Sequence, residues 1–367
     1  RDLSAFYSPE KIDKMSDKKK TENLNKIWRN YCISDAYEPG STFKPMTVAA
    51  CLDEGVTTGS RAYHCDGYQV INGVRIKCVA YSRGGHGTIN ICQSLMESCN
   101  DVLMQLGADL GKRKFLQYVN EFGFGKKTGI DLPGEATGGV FTNDTMHAVE
   151  LATSSFGQGQ TVTMIQMAAA FSSVINGGNY YEPHVVKEVK SENGAVLESN
   201  DNALVRRVIT ENTSKKLRKY LYKTVEEGTA LPAKVAGYQI GGKTGTAEKH
   251  PTGRGNYLVS FIGFATKDNP EVMIYVTIDE PHVADQAHST YATQFSSEVL
   301  KEVLPVLGMY QDSSTKKADK TKASDIKLPS TKEAPDGGYS DGTYSVAGDQ
   351  TDRTDTANTA SPVPSAE

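Results

Sequence analysis

The amino-acid sequence predicts an α+β fold in which helices cover both faces of an antiparallel sheet, and two observations lead to this prediction. Three β-rich runs, at residues 238–247, 257–265 and 272–278, follow one another with turn-forming residues between them. Short turns join neighbouring antiparallel strands, so we expect a meander. Helical patterns precede this meander, and one more, over residues 291–304, follows it. Such helices can pack on the two faces of one sheet.

Five helices are predicted ahead of the sheet from the spacing of their apolar residues and from the residues that end them. The first begins near Ser41 and stops at Gly55, with Pro45 in its first turn, where a missing N–H costs least. The other four predicted helices cover residues 88–97, 101–110, 161–176 and 211–227.

We expect one globular domain over residues 27–308, flanked by two polar segments. Within residues 1–26, the Lys-rich run 8–26 is interpreted as a mobile surface segment. Residues 309–367 are predicted to form a disordered tail, because a run so rich in Ser, Thr, Asp and Lys buries too little apolar surface to offset its ordering entropy.

The chain begins with Arg1 and has no apolar run near the roughly 20 residues that span a bilayer. We therefore interpret it as a fragment of a longer protein.

The charge balance argues against one class of partner. Lys and Arg together number 40 against 44 Asp and Glu, which gives a formal net charge of -4. Nucleic-acid binding and strong attraction to anionic membranes both need a basic surface. We therefore expect no nucleic-acid partner.

Ser41 and Lys44 are the first candidates for chemistry. They stand three residues apart at a predicted helix N-terminus, so their side chains share one face. A serine hydroxyl is a poor nucleophile until a base removes its proton, and a lysine can be that base when burial lowers its pKa. The helix N-terminus adds N–H groups that suit a developing oxyanion. By itself the pair is a weak motif, because an ordinary capping serine gives the same pattern.

Two further motifs strengthen the interpretation. Residues 98–100 (Ser-Cys-Asn) lie between two predicted helices, and residues 243–246 (Lys-Thr-Gly-Thr) lie on a predicted strand. With residues 41–44 they match, in the same chain order, the motif set of β-lactamases and penicillin-binding proteins. A glycine at position 245 would let a peptide approach the strand closely, since a side chain there would block it.

From about residue 31 to residue 305 the chain resembles the transpeptidase domain of class B penicillin-binding proteins, of the elongation or sporulation type. The supporting stretches are YEPGSTFKP (37–45), FGFGKKTGIDLPGE (122–135), SSFGQGQTVTMIQMAAAFSSVINGG (154–178), GGKTGTAE (241–248) and FIGFATKDNPEVMIYVTID (261–279). The resemblance implies the penicillin-binding and β-lactamase-like fold, in which an all-helical subdomain accompanies the sheet.

The resemblance also implies residue roles. Ser41 would be acylated, with Lys44 as its base and Ser98 as the proton shuttle. The residues implied in substrate binding are Asn100, Lys243, Thr244, Gly245 and Thr246. The backbone N–H groups of Ser41 and Thr246 would form the oxyanion hole.

The implied function is a peptidoglycan D,D-transpeptidase that cross-links stem peptides and is inhibited covalently by β-lactam antibiotics. A membrane glycosyltransferase would be its partner, and the domain would lie on the extracytoplasmic face of the cell membrane, held by a single-pass anchor absent from this fragment. A β-lactamase or D,D-carboxypeptidase of the same fold is the first alternative. A penicillin-binding sensor or scaffold is the second.

Cys65, Cys78, His86 and Cys99 form a Cys3His set, which is a common ligand combination for structural zinc. The Gly-rich segment 65–86 is compatible with a β-hairpin that brings Cys65 and Cys78 together. The resemblance supports His86 and Cys99 as ligands, whereas Cys65 and Cys78 stand where zinc-holding relatives use carboxylates. Such a zinc would be structural, because four protein ligands leave no open position, and no catalytic cofactor is expected. A Cys65–Cys78 disulfide and simple buried thiols remain the alternatives.

Overall fold

A computed structural model of the chain describes residues 2–200 and 204–311. Nearly all of the predicted disordered tail lies outside the described residues. The helices are α1 (Pro9–Asp13), α2 (Asp17–Trp28), α3 (Tyr31–Ser34), α4 (Lys44–Asp53), α5 (Ile91–Met96), α6 (Asn100–Leu110), α7 (Lys112–Glu121), α8 (Ala148–Ser154), α9 (Met164–Ile175), α10 (Glu211–Glu227) and α11 (Thr290–Val306). In these two stretches of chain, no helix combines the length and the apolar character that crossing a membrane requires.

The strands form one three-stranded sheet and several two-stranded ribbons. They are β1 (Ala36–Tyr37), β2 (Ala62–Cys65), β3 (Tyr68–Ile71), β4 (Val74–Lys77), β5 (Gly87–Asn90), β6 (Val162–Thr163), β7 (Asn179–Tyr181), β8 (Glu188–Lys190), β9 (Val196–Ser199), β10 (Leu204–Arg207), β11 (Ile240–Glu248), β12 (Tyr257–Ala265) and β13 (Val272–Asp279). Short 3-10 turns cover Leu3–Ala5, Gly40–Phe43, Tyr81–Arg83 and Leu231–Ala233.

The predicted antiparallel meander is confirmed as the sheet β11–β12–β13. Its first two strands pair over their whole length, with Lys243 opposite Ile262 and Gly245 opposite Ser260. The strand order therefore places the Lys-Thr-Gly-Thr motif on an edge strand, with no second neighbouring strand among the described residues.

Helices cover both faces of this sheet, as predicted. Successive side chains of a strand point to opposite faces, and β12 shows this alternation in its two cores. Ile262 and Phe264 pack into the large helical core, where the Phe264 ring lies 6.2 Å from that of Phe171 on α9. Phe261 and Ala265 face the second core, which α11 closes. The α+β class is therefore confirmed.

Two predicted helices begin later than expected, because a capping residue is preceded by a short strand. Residues 88–90 belong to β5, and Asn90 caps α5 with a reciprocal hydrogen bond to Gln93. Thr163 ends β6 and caps α9 in the same way. The apolar residues ahead of each cap fit a strand as well as a helix, so their spacing alone could not separate the two states.

The N-terminal run 8–26 forms α1 and most of α2, where we expected a mobile segment. Pro9 stands at the start of α1, and the Ser16 hydroxyl accepts a hydrogen bond from the Lys19 N–H at the start of α2. Lysine has good helix propensity, so a Lys-rich run with such caps can be helical even where it buries little.

Candidate active site and a neighbouring cysteine cluster

Ser41 and Lys44 lie where the chain turns into α4. Ser41 belongs to the 3-10 turn Gly40–Phe43, and Lys44 is the first residue of the helix. Lys44 is fully buried, whereas Ser41 is partly exposed. The hydroxyl can therefore meet a substrate while the amine is shielded from water.

Ser98 connects the two residues. Its Oγ accepts hydrogen bonds from Lys44 Nζ and Lys243 Nζ, each at 3.0 Å, and donates one to Ser41 Oγ, also at 3.0 Å. A serine hydroxyl has one proton and two lone pairs, so all of its hydrogen-bonding capacity is used. Ser98 adopts a φ of 53°, a left-handed conformation that is uncommon for serine. This conformation turns the chain between α5 and α6 and helps to place the hydroxyl at the meeting point of the three motifs.

Burial lowers the pKa of both lysines. Removal from water lowers the pKa of Lys44 to about 8, while the neighbouring Cys99 and Cys78 act in the opposite direction. Burial, helped by the charge of Lys44, holds the pKa of Lys243 well below its ordinary value. Desolvation disfavours the charged form of an amine. A neutral Lys44, which can accept a proton, is therefore accessible near pH 8.

Asn100 is held beside Lys44 at the first residue of α6. Its Oδ1 accepts a hydrogen bond from Lys44 Nζ at 2.7 Å, and its Nδ2 donates to the Lys77 carbonyl at 3.3 Å. An amide nitrogen carries two N–H groups, so a second one is left for a ligand.

The Lys-Thr-Gly-Thr strand closes the site on the other side. Lys243 Nζ also donates to the Thr244 carbonyl at 3.1 Å and to Thr244 Oγ1 at 3.3 Å. The backbone of Thr246 lies against the serine turn, because a Cβ on Gly40 would come within 3.2 Å of the Thr246 carbonyl oxygen. The structure thus brings together every residue of the three predicted motifs.

The surroundings of Gly245 give a reason for the glycine other than room for a peptide. A Cβ at this position would point toward β12 and the serine turn. It would lie 2.3 Å from Ser260 Oγ and 3.0 Å from the Thr42 methyl group, both behind the strand. The glycine is therefore needed so that β11 can approach β12 and the serine turn closely.

The four predicted metal-binding side chains converge next to this site. Cys65 ends β2, His86 precedes β5, and Cys78 follows the β3–β4 hairpin, whose base is closed by the Cys78 N–H and the Gly67 carbonyl at 2.7 Å. Cys99 is the N-cap of α6. Their ligand atoms all lie within 4.8 Å of one another.

The distances within this cysteine cluster fit a tetrahedral ion. Cys65 Sγ and Cys78 Sγ lie 3.4 and 3.6 Å from His86 Nδ1, and Cys78 Sγ lies 3.7 Å from Cys99 Sγ. Zinc–sulfur bonds of about 2.3 Å in a tetrahedron imply sulfur separations of roughly 3.8 Å. All six cysteines of the sequence fall within the described residues, and none is disulfide-bonded there, so the structure gives no support to the disulfide alternative.

The cluster also supports the active-site wall directly. Cys78 Sγ accepts a hydrogen bond from the Asn100 N–H at 3.3 Å, and Cys99 Sγ accepts one from the Val102 N–H at 3.4 Å. Both bonds hold the first turn of α6. Ser98 and Asn100 flank Cys99 in the sequence, so the cluster fixes the segment that carries them.

Sequence reasoning missed two groups of polar residues in contact with this site. The hydroxyls of Tyr37 and Tyr275 are hydrogen-bonded beneath the serine turn, and Thr42 Oγ1 lies 3.4 Å from that of Tyr275. Thr229, after α10, lies 3.3 Å from Thr244 through its Oγ1. Neither group follows a spacing that marks it, since each meets the site only through the tertiary fold.

The partly exposed Ser41 is linked through Ser98 to the buried Lys44, beside the edge strand that carries Lys243. Such an arrangement can activate a serine hydroxyl for acyl transfer. The comparisons with known proteins agree. Residues 8–303 match the penicillin binding protein transpeptidase domain. The chain therefore belongs to the penicillin-binding protein transpeptidase family, and its resemblance to class B members is confirmed.

The relatives cover most of this chain. Stage V sporulation protein D of Bacillus subtilis is 42% identical over 286 residues, which are 77% of this chain and 44% of that protein. The peptidoglycan D,D-transpeptidase MrdA of Acinetobacter baumannii is 28% identical over 277 residues, 70% of this chain and 41% of that protein. The chain thus spans less than half the length of these two relatives.

Solved structures show the same fold. Penicillin binding protein 3 from Mycobacterium tuberculosis, complexed with ampicillin, superposes with a TM-score of 0.71 at 26% identity, over 77% of this chain and 65% of that one. The transpeptidase domain of penicillin-binding protein 3 from Burkholderia pseudomallei gives a TM-score of 0.67 at 27% identity, over 76% and 82%.

Proposed function

We propose that this chain is the catalytic domain of a peptidoglycan D,D-transpeptidase that works through an acyl-enzyme on Ser41. The observation that carries the proposal is the hydrogen-bonded path from Ser41 through Ser98 to the buried Lys44. That path offers the activated nucleophile that acyl transfer requires. The ampicillin complex of the structural relative supports β-lactams as inhibitors.

The path gives each residue a role. When Lys44 is neutral, Ser98 passes its proton to Lys44 Nζ and takes the proton of Ser41. Ser41 Oγ attacks the carbonyl between the two terminal D-Ala residues of a stem peptide. The bond to the last D-Ala breaks, and its amine leaves with a proton supplied through Ser98. An amine of a second stem peptide then attacks the ester, forms the cross-link and frees Ser41.

Substrate binding is assigned to the two walls of the site. The second N–H of Asn100 would hold the peptide backbone. Lys243 and Thr244, with Thr246, would receive the terminal carboxylate, because an amine and two hydroxyls offer donors to that group. The backbone N–H groups of Ser41 and Thr246 would stabilise the oxyanion. Gly245 would serve by keeping the strand in place.

We infer that Cys65, Cys78, His86 and Cys99 hold a structural zinc ion. The support is the four-ligand set, its tetrahedral spacing, and the backbone N–H groups that hydrogen-bond to Cys78 and Cys99. Bound zinc would supply cross-linking of the segment, not catalysis, since four protein ligands leave no open position.

The cellular setting follows from the same resemblance. We propose that the domain acts outside the cell membrane on nascent wall, attached by an anchor in a longer protein and paired with a membrane glycosyltransferase. Elongation, division and sporulation all use such enzymes, and the name of the Bacillus subtilis relative favours sporulation.

Intact-mass analysis with benzylpenicillin tests the proposal. We expect a persistent adduct on the domain that is lost in the Ser41→Ala variant. Fast turnover of a chromogenic β-lactam, with no lasting adduct, would support the β-lactamase or carboxypeptidase alternative instead. No adduct at all on the folded domain would favour a scaffold that does not react with β-lactams. The same experiment under native conditions should show an added mass of one zinc ion.

A further inference from the structure

Thr229 extends the polar row of the Lys-Thr-Gly-Thr strand toward solvent. Its Oγ1 lies 3.3 Å from Thr244 Oγ1, which accepts a hydrogen bond from Lys243 Nζ at the same distance. Lys243 and Thr244 are buried, with exposed fractions of 0% and 4%, whereas Thr229 is exposed. The row Lys243, Thr244, Thr229 therefore runs from the interior to the surface.

The turn that carries Thr229 is held to the opposite wall of the site. The Thr229 N–H donates to the Met96 carbonyl at 2.9 Å. A Cβ on Gly228 would lie 2.8 Å from the same oxygen, so only glycine permits this approach. Met96 ends α5, two residues before Ser98. The hydroxyl of Thr229 therefore has a defined place between the Ser98 segment and β11.

The hydrogen bonds along Lys243, Thr244 and Thr229 leave one hydroxyl proton available to a ligand. Lys243 only donates, so Thr244 Oγ1 accepts from it and keeps its own proton to give. Two hydroxyls that share one hydrogen bond use only one of their two O–H groups in it. When Thr244 donates, the O–H of the exposed Thr229 remains free for a ligand. Lys243 Nζ donates at the inner end of this chain of hydrogen bonds, and each bond in such a chain polarises the next. The outermost hydroxyl thus becomes a strong donor for an anion.

We propose that Thr229 is a substrate-binding residue whose hydroxyl donates to the terminal carboxylate of the stem peptide, and to the matching carboxylate of a β-lactam. The proposal rests on the proposed function, because it names a further contact of the same site. It makes Thr229, outside the three motifs, a determinant of preference for acids over neutral analogues.

The test removes the Thr229 hydroxyl and the ligand carboxylate, singly and together, and compares the acylation rates. Acylation rates are measured for the wild type and the Thr229→Val variant, with benzylpenicillin and with its methyl ester. For benzylpenicillin we expect Thr229→Val to lower the second-order rate constant about tenfold, through weaker binding before acylation, since one charge-assisted hydrogen bond is lost. For the ester the two proteins should react alike. Thr229→Ser should stay within about twofold of the wild type, because it keeps the hydroxyl.

Controls separate this proposal from simple damage to the fold. Thr58→Val removes another exposed threonine hydroxyl, which lies 2.9 Å from that of Ser60, and should change neither rate. Thr229→Ala replaces the valine variant if thermal melting shows that the latter unfolds. Equal losses with acid and ester, or no loss with either, would overturn the proposal. A wild-type domain that forms no adduct would instead overturn the proposed function on which it rests.

Discussion

Two opposing influences set the protonation of Lys44. Burial lowers its pKa, while the nearby Cys99 and Cys78 raise it, and the result is a pKa of about 8. An amine with an ordinary pKa would be almost fully protonated at neutral pH and unable to accept a proton. The burial of Lys44 therefore serves the proposed reaction by lowering its pKa, although burying an amine destabilises the fold.

We predict that acylation of Ser41 by benzylpenicillin rises with pH and levels off above about 8. Below its pKa, Lys44 is mostly protonated, so the reactive fraction falls about tenfold for each pH unit. The measurement is the acylation rate constant between about pH 6 and pH 9.5. Lys44→Arg, which keeps the charge but cannot lose it, should be about 100-fold slower or worse. A flat profile across this range would argue against Lys44 as the base.

At this scale the sequence named the candidate residues but not all of their geometry. Ser41, Lys44 and Ser98 could be named because spacing at a helix start and a known motif order mark them. That Ser98 would bond both Lys44 and Lys243 could not be foreseen, because the contact depends on how three distant segments pack.

At the scale of elements, the position of β11 depends on the residues packed against Gly245. Gly245 stands opposite Ser260 in the register of β11 and β12, and a Cβ there would collide with the Ser260 hydroxyl and crowd Thr42 on the serine turn. The strand can therefore lie close to the turn only if this position has no side chain. One glycine thus sets the distance between β11 and the serine turn.

Gly245→Ala should destabilise the domain by about 1–3 kcal/mol, the usual cost of overpacking, and slow acylation of Ser41. Ser260→Ala, combined with it, should recover part of both losses, because the nearest colliding atom is removed. Denaturant unfolding and penicillin labelling of the two single variants and the double variant measure this coupling. Purely additive effects would show that the crowding we describe does not decide the outcome.

The sequence predicted most elements because their signals are local. The strand 257–265 and the helix 211–227 have the predicted bounds. Apolar spacing that continues across Asn90 predicts a helix over residues 88–90, whereas pairing with β2 makes them a strand. That pairing joins residues more than twenty positions apart, which no local pattern encodes.

For the whole molecule, the cysteine cluster joins the hairpin region to the catalytic wall. Cys65, Cys78 and His86 come from the β2–β5 region, and Cys99 comes from the segment between the two helices that bears Ser98. The strained backbone of Ser98 needs support from its surroundings to persist. An ion bound at the cluster would give that support without touching the substrate.

Removal of the proposed zinc ion should therefore slow acylation of Ser41 by about tenfold or more, although no proposed catalytic residue changes. The reason is that Ser98 and Asn100 lose the anchor between them, and even modest displacement of a catalytic group is costly. The measurement is the penicillin acylation rate of chelator-treated protein, with circular dichroism to show that it remains folded, followed by re-addition of zinc to restore the rate. Cys78→Ser should lose both metal and rate, whereas Cys92→Ser, outside the cluster, should keep both. Unchanged labelling of the folded, metal-free protein would contradict the prediction and leave the cluster with a role in stability alone.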